Sequence, residues 1–352
     1  MDVTVIGGGV FGLSVAYACA SRGATVRLYE RKAIGSGASG GLVGALAPHV
    51  PENWNPKKAF QLESLLMAEA FWGGVSDVSD LPTGYARLGR LQPLEDAVAV
   101  DRAQHRAVGA AALWQGWAAW RVVQAAGGWE PLSPTGWLVE DTLTARIQPR
   151  LACLALAGAL RELGGEVVME EIALDSPPPG AVVWACGAPG LVELSEAFGT
   201  AVGRGEKGQA LALGYAAPDL PQLFSGGLHI VPHQDGTVAI GSTSEREYDA
   251  AETVDDQLDT LHARALTICP ALIGAPVVAR WAGLRPRANS RAPMLGAWPF
   301  AARSGQYIAN GGFKIGFGMA PKVAQVMADL VLDGRDTIPQ GFRVEDSLPG
   351  SH

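Results

Sequence analysis

The sequence predicts an α/β fold in which a parallel sheet with flanking helices is combined with a second, strand-rich part. Residues 2–30, DVTVIGGGVFGLSVAYACASRGATVRLYE, have the pattern of strand, glycine turn, helix and strand. Residues 180–190, GAVVWACGAPG, have the pattern of a buried strand that ends in a glycine turn. Residues 200–245 are mostly strand-like, and Asp235 and Gly236 supply the turn of a hairpin.

The remaining segments predict that the first of two domains is discontinuous. A helix is expected at about 59–75, a helix with a Gly-Gly stop and a strand at 149–168, and a strand, glycine-rich turn and helix near the end. Residues 81–135 change character and are interpreted as an inserted element. The predicted division is a first domain of residues 1–80, 145–196 and 281–345, a second domain of residues 81–144 and 197–280, and a C-terminal tail of residues 346–352.

Composition and charge exclude several classes of protein. With 352 residues, 48% hydrophobic and 18% charged, the chain suits a soluble α/β enzyme rather than a disordered or fibrous protein. The net charge of −8 offers no broad positive field, so no nucleic-acid partner is expected. No apolar run approaches 20 residues, so no integral membrane segment is expected.

The four cysteines show no CxxC pair and lie in apolar surroundings, which predicts free thiols and no metal site. Met1 leads directly into a predicted strand without the pattern of a secretion signal. We therefore expect a cytoplasmic protein.

Gly7, Gly9 and Gly12 form a GxGxxG motif between a strand and a helix. The first glycine permits the tight turn, the second lets the backbone approach a pyrophosphate, and the third lets the helix pack on the strand. Glu30 ends the second strand, where a carboxylate can accept hydrogen bonds from ribose hydroxyls. This Rossmann-like unit predicts a dinucleotide site, and an acid at position 30 narrows the ligand to FAD or NAD.

Further motifs resemble the family of flavoenzymes that contains D-amino acid oxidase and glycine oxidase. The loop GSGASGGLVGALAP at 35–48 is similar to the loop with which that family cradles FAD. VVWACGAPG, HIVPHQDGTVAIGST, GLRPRANSRAPMLG and NGGFKIGFGMAP match further family segments in the same order, so the resemblance covers most of the chain. It implies FAD as the cofactor and a Rossmann-like FAD-binding domain of this family's type, interwoven with a sheet-rich α+β substrate domain.

The resemblance also implies which residues contact the flavin nucleotide. Because no cysteine lies in or beside the GLRP or final-turn segments, non-covalent FAD is expected. The implied cofactor residues are Gly7, Gly9, Val10, Phe11, Gly12, Glu30, Arg31, Ser39, Gly44, Ala45, Leu46, Ile172, Ala185, Gly187, Gly312, Lys314, Ile315 and Gly316.

Two residues are candidates for the substrate site. Arg285 matches the family's arginine that forks onto the substrate carboxylate, and the alternative is a surface or ion-paired arginine. His229 stands where relatives have a tyrosine, and it either contacts substrate or is a satisfied hairpin histidine. Lys314 is expected at the flavin's pyrimidine edge, with a solvent-facing lysine as the alternative. Arg287 matches no motif and is expected to be solvated.

Trp114, Trp117 and Trp120 fall at i, i+3 and i+6 and predict one face of a helix. Core packing is the simplest role for that face. The alternatives are a roof over the substrate and a contact face of a homo-oligomer.

The implied activity is oxidation of the C–N bond of glycine, a D-amino acid or an N-substituted glycine. Hydride transfer from Cα to flavin N5 would leave an imine that hydrolyses to a 2-oxo acid, with oxygen or another electron acceptor reoxidising the flavin. The alternatives are a dehydrogenase of the same family that uses a quinone or other acceptor, a relative that modifies carboxymethylaminomethyl-uridine in tRNA, and a non-catalytic flavin-binding module. The acidic net charge disfavours the tRNA alternative.

Overall fold

The computed structural model describes residues 1–300 and 303–350, and the end of the predicted tail, residues 351 and 352, lies outside them. The fold is α/β, as predicted. The strands are β1 (Asp2–Ile6), β2 (Thr25–Glu30), β3 (Ala45–Leu46), β4 (Arg90–Pro93), β5 (Trp120–Gln124), β6 (Trp137–Asp141), β7 (Ala145–Arg146), β8 (Glu166–Met169), β9 (Ala181–Trp184), β10 (Gly203–Gly214), β11 (Gln222–Ser225), β12 (Leu228–Pro232), β13 (Thr237–Gly241), β14 (Val277–Ala288), β15 (Met294–Ala297) and β16 (Gln306–Asn310). The helices are α1 (Val10–Ser21), α2 (Pro56–Ser79), α3 (Ala97–Trp114), α4 (Pro149–Glu162), α5 (Gly187–Phe198), α6 (Asp256–Ile268) and α7 (Gly316–Asp333).

A six-stranded sheet in the order β15-β16-β9-β1-β2-β8 carries the predicted βαβ unit. Its strands pair in parallel except for β15, which runs antiparallel to β16 at the edge. The inner strand β9 is buried along its whole length, as the apolar run AVVW predicts for a strand covered on both faces. Helices α1, α2, α4 and α7 contribute to the hydrophobic core beside this sheet.

The second sheet has eight strands in the order β14-β10-β13-β12-β11-β4-β6-β5, and all neighbours are antiparallel except β11 and β4. The hairpin of β12 and β13 turns at Asp235 and Gly236, as predicted, and Gly236 has a φ of +81°. Helix α6 and this sheet share a separate hydrophobic cluster.

We propose that the division into two domains follows these two sheets. The predicted boundary at residue 281 falls inside β14, which pairs with β10 over most of its length, so a boundary after Ala288 suits the sheets better. The short sheet of β3 and β7 joins the long glycine-rich loop to the start of residues 145–196, the second predicted segment of the first domain.

The predicted tryptophan face is wrong. Helix α3 ends at Trp114 because Gln115 and Gly116 take left-handed backbone conformations, with φ of +48° and +82°. Trp120 belongs to β5, where its ring packs edge-on against Trp114 with 6.2 Å between ring centroids. Trp117 lies in the turn and is 66% exposed, so two of the tryptophans are core residues and the third is not.

All four cysteines are free thiols, as predicted. Within residues 1–300 and 303–350, no helix is long and apolar enough to cross a membrane.

Candidate FAD and substrate site

One large cavity, of about 1060 Å³, is lined by residues from both large sheets. The turns that follow β1, β9 and β16 supply one part of its wall, and β12, β13 and β14 supply another. Single ligand pockets commonly measure about 300–1,000 Å³, so this cavity is of a size for a large cofactor.

The glycines of the first turn are required for three different reasons. Gly7 has a φ of +114°, and a Cβ there would lie 2.4 Å from the carbonyl oxygen of Ala185. A Cβ on Gly12 would lie 2.0 Å from the carbonyl oxygen of Gly7, so this glycine lets α1 pack on the turn. A Cβ on Gly9 would meet only the Ser39 hydroxyl, at 3.3 Å, and this position faces the cavity.

The N-terminus of α1 is suited to an anion. Helix α1 begins at Val10, its cap residue Gly9 has no side chain, and no acidic residue occupies its first turn. The backbone N–H groups and the helix dipole therefore favour a negatively charged group here. Ser39 of the glycine-rich loop reaches this turn, and its Oγ accepts a hydrogen bond of 2.9 Å from the Val10 N–H.

Glu30 is held by two backbone donors at the end of β2. Its Oε2 accepts from the Gly8 N–H at 2.8 Å, and its Oε1 accepts from the Lys32 N–H at 2.9 Å. Each carboxylate oxygen has a further lone pair, so Glu30 can also accept hydrogen bonds from ribose hydroxyls.

Most of the implied cofactor residues lie on this one cavity. Two do not: Gly12 packs against the backbone of Gly7 in the same turn, and Leu46 is fully buried in the core. Those that line the cavity are Gly7, Gly9, Val10, Phe11, Glu30, Arg31, Ser39, Gly44, Ala45, Ile172, Ala185, Gly187, Gly312, Lys314, Ile315 and Gly316.

Arg285 of β14 also lines the cavity and is only 6% exposed. Its Nη2 donates to the carbonyl oxygens of Lys207 and Thr243, and its Nη1 donates to the Ser242 hydroxyl. Its Nε is buried without a partner. Burial lowers the pKa of Arg285 to about 10, so the guanidinium remains charged at neutral pH.

Three cations surround the ring of Phe313, two from β14 and one from the turn after β16. The Cζ atoms of Arg285 and Arg287 lie 5.5 Å and 4.9 Å from the centre of the Phe313 ring, and Lys314 Nζ lies 5.6 Å from it. Arg287 is also paired with the buried carboxylate of Glu206 at 2.7 Å. The expectation that Arg287 is solvated is therefore wrong.

His229 of β12 lines the same cavity, and its contact with a substrate stays a prediction. Its Nδ1 is buried without a partner, and its ring centre lies 4.6 Å from that of Phe224. Burial, reinforced by the charges of Arg90 and Lys314, lowers the pKa of His229 to about 3, so the imidazole is neutral. The alternative of a satisfied hairpin histidine does not fit a ring nitrogen that lacks a partner.

Sequence reasoning missed several cavity residues, including Arg90, Phe224, Ser242 and Phe313. Phe313 lies within the quoted final-turn motif, and its φ of +45° marks a sharp turn. Arg90 and Phe224 lie in short strands that carry no motif. Only the pairing of β4 with β11 brings them together, with Arg90 Cζ 5.4 Å from the centre of the Phe224 ring.

Comparison with known proteins assigns the class. The family model described as FAD dependent oxidoreductase, DAO, matches residues 2–330. The chain belongs to this family, and its cofactor is FAD. The glycine-rich turn, the helix N-terminus and Glu30 suit the pyrophosphate and ribose of that cofactor.

Two individual proteins illustrate the similarity. The chain is 25% identical to a glycine oxidase of Geobacillus kaustophilus over 94% of this chain and 92% of that protein. The crystal structure of glycine oxidase from that organism superimposes with a TM-score of 0.82 at 23% identity, covering 97% of this chain and 98% of the other. An iminodiacetate oxidase from Chelativorans sp. superimposes with a TM-score of 0.83 at 21% identity, with the same coverage. At these identities the two structures show a shared fold.

Proposed function

We propose that the protein oxidises the C–N bond of a small amino acid, namely glycine, a D-amino acid or an N-substituted glycine. The observation that carries the proposal is a charged, buried Arg285 on the FAD cavity. The charges of Glu206 and Glu245 already act on this cation, but its hydrogen bonds go only to neutral groups, so it is suited to an anionic ligand such as the carboxylate of an amino acid. The names of the glycine oxidase and iminodiacetate oxidase to which the chain is similar support the same class of substrate.

The hydrogen bonds of Arg285 favour a different contact with the substrate carboxylate from the one that the resemblance implies, in which two parallel N–H groups of the guanidinium bind it. Both N–H groups of Nη2 are directed to backbone carbonyls, whereas Nη1 donates to Ser242 and keeps one N–H. The Ser242 hydroxyl accepts from Nη1 and can donate its own hydrogen. We therefore assign the carboxylate to Nη1 of Arg285 together with the Ser242 hydroxyl.

When bound, FAD would accept a hydride from the substrate Cα at flavin N5, and water would hydrolyse the resulting imine to a 2-oxo acid and ammonia or an amine. Arg285 and Ser242 bind the carboxylate and thereby orient Cα. His229 is neutral and can accept a hydrogen bond from the substrate amine. Lys314 lines the same cavity, and its positive charge would act on the pyrimidine edge of the flavin. Alignment and electrostatics carry this proposal, and no side chain is assigned as a general base.

An anaerobic screen of amino and imino acids tests the proposal by following loss of the flavin's visible band. Arg285→Met should retain FAD and slow the reduction of the flavin by the best substrate. A charge-assisted hydrogen bond contributes about 1.5–3 kcal/mol, so the second-order rate constant for reduction should fall roughly tenfold to a hundredfold. Equal rates for Arg285→Met and the parent enzyme with every carboxylate substrate would refute the proposed anchor.

The electron acceptor is a separate part of the proposal. Turnover with oxygen should be compared with turnover with an artificial quinone acceptor, using a substrate identified in the screen. Faster turnover with the quinone would favour the dehydrogenase alternative over the oxidase.

A further inference from the structure

The carboxylates that line the FAD cavity are confined to one part of it. Among the residues that the structure describes, every carboxylate that lines the cavity belongs to the part near the predicted ribose and adenine, namely Glu30, Glu170, Glu171, Glu193 and Glu252. Glu252, although distant in sequence, lies 3.8 Å from Lys32 in this same part. The part built by the eight-stranded sheet and the final turn has the cations Arg90, Arg285 and Lys314.

These three cations exceed what one substrate carboxylate requires. Arg285 is assigned to that carboxylate, and Lys314 is assigned to the flavin. Arg90 has no such assignment, although it is only 5% exposed and lines the cavity.

Arg90 is oriented by a buried carboxylate and keeps unused donors. Its Nε donates to Asp141 Oδ2 at 2.8 Å, and the other oxygen of Asp141 accepts from the Thr144 N–H at 2.9 Å. Nη1 and Nη2 of Arg90 make no hydrogen bond with any described residue, yet neither is enclosed out of reach of solvent. Because a nearly buried guanidinium normally has its donors satisfied, these groups are suited to a ligand in the cavity.

Arg90 and Arg285 border one continuous region. Arg90 stacks on Phe224, Phe224 contacts His229, and the charges of both Arg90 and Lys314 act on His229. Lys314 in turn shares the Phe313 ring with Arg285. His229 is neutral and adds no charge, so an anion placed between these groups meets cations on both sides.

We propose that Arg90 binds a second carboxylate of the substrate, so that the preferred substrates are dicarboxylic amino or imino acids. This inference rests on the proposed function, because Arg285 must hold the first carboxylate. A monocarboxylic substrate would leave the Nη groups of Arg90 without an anionic partner.

Two ethers test the inference by binding alone, because they have an oxygen in place of the substrate nitrogen and so cannot undergo C–N oxidation. Diglycolate has two carboxylates on either side of an ether oxygen, and methoxyacetate has the same ether with one carboxylate. Titration of the FAD-loaded enzyme, followed by the flavin's visible spectrum, gives a dissociation constant for each. Diglycolate should bind at least roughly tenfold more tightly, a ratio that corresponds to about 1.4 kcal/mol.

Removing Arg90 alone would leave Asp141 as an unpaired buried acid, so the variants are compared in chains that carry Asp141→Asn. Asp141→Asn retains Arg90 and should keep the preference for diglycolate, whereas Arg90→Gln combined with Asp141→Asn should lose it while binding methoxyacetate normally. Arg121→Gln is the matched control, because Arg121 lies on β5 of the same sheet, on the far side of β6 from Arg90, is 62% exposed and pairs with Glu140 at 3.4 Å. This control removes one positive charge from the same sheet and should keep the preference.

The outcomes separate the inference from the proposed function. Equal binding of both ethers by the parent enzyme, or an equal preference in Asp141→Asn and the double variant, would overturn the role of Arg90 while glycine or sarcosine still reduces the flavin. If neither ether binds and no amino or imino acid bleaches the flavin, the proposed function fails and the inference fails with it. Should the double variant not fold, the parent enzyme decides, since iminodiacetate must then reduce the flavin with a higher second-order rate constant than sarcosine.

Discussion

Replacing Gly208 with alanine should displace Arg285 without touching the flavin. Gly208 lies in β10, and the guanidinium of Arg285 crosses directly over it. A Cβ at this position would lie 2.2 Å from Arg285 Nη2 and 2.3 Å from its Cζ. Ordinary contact begins at 3.4 Å, so the guanidinium has to move by roughly 1 Å.

That movement is large for a group that we propose to bind the substrate. It would disrupt the bonds from Nη2 to the carbonyl oxygens of Lys207 and Thr243, and it would shift Nη1 away from Ser242. A misplacement of about 1 Å at a reacting centre can reduce the rate by roughly a hundredfold. Gly208→Ala should therefore fold and retain FAD but show a second-order rate constant for flavin reduction lowered by about that factor.

Anaerobic stopped-flow measurements of flavin reduction provide the assay, with two controls. Gly73→Ala adds a methyl group to an exposed position inside α2 where no atom lies within 4 Å, so it should leave reduction unchanged and raise the free energy of unfolding by about 1 kcal/mol. Combining Gly208→Ala with Arg285→Met should slow reduction no further than Arg285→Met alone, because both changes remove the same interaction. Reduction of Gly208→Ala at the parent's rate would refute this account of how Arg285 is positioned.

Three further predictions concern the cofactor and His229. Gly9→Val should fold, because the φ of −84° at Gly9 suits any residue. It should lose FAD, because the valine side chain would project to where the pyrophosphate approaches the backbone. The flavin absorbance of the purified variant measures this loss. Acid precipitation should release all the flavin into the supernatant, since the cofactor is expected to be non-covalent. His229 has a folded-state pKa of about 3, below its unfolded value near 6.5, so its stabilising contribution is present above pH 6.5 and is lost as the pH falls. Denaturant titrations at pH 7.5 and 5.5 should show that the parent loses about 1 kcal/mol more than His229→Gln does.

Each of these predictions has a contradicting result. Full flavin occupancy in folded Gly9→Val would show that the dinucleotide does not bind at this turn. Colour that remains with the precipitated chain would indicate a covalent bond. Identical pH dependence of the parent and His229→Gln would show that His229 protonates as easily in the folded chain as in the unfolded one.

The sequence by itself determined the nucleotide turn and the class of protein. Two of the glycine requirements are local, because the φ of +114° at Gly7 and the contact of a Gly12 Cβ with the Gly7 carbonyl oxygen both arise within one strand, turn and helix. A pattern confined to 30 residues can therefore be read without the rest of the fold. The same reasoning located Glu30, whose distance along β2 fixes its place beside the turn.

Other features depended on the tertiary structure. Helical spacing placed Trp120 on the face of α3, but the left-handed Gln115 and Gly116 end the helix, and Trp120 returns to Trp114 from a strand. Gly116 is itself a helix stop signal, and the spacing of the tryptophans does not take it into account.

The contacts of the charged side chains in the eight-stranded sheet could not be predicted from the sequence for a more general reason. Arg90 meets Asp141, and Gly208 meets Arg285, only because strands distant in the sequence pair in one particular register. That register is selected by burial of the apolar face of the whole sheet, and a shift of one residue would turn these side chains to the opposite face. The residues adjacent in sequence do not indicate this register. The sequence therefore indicates an FAD-dependent oxidoreductase, whereas the strand pairing decides which charged side chains line its cavity.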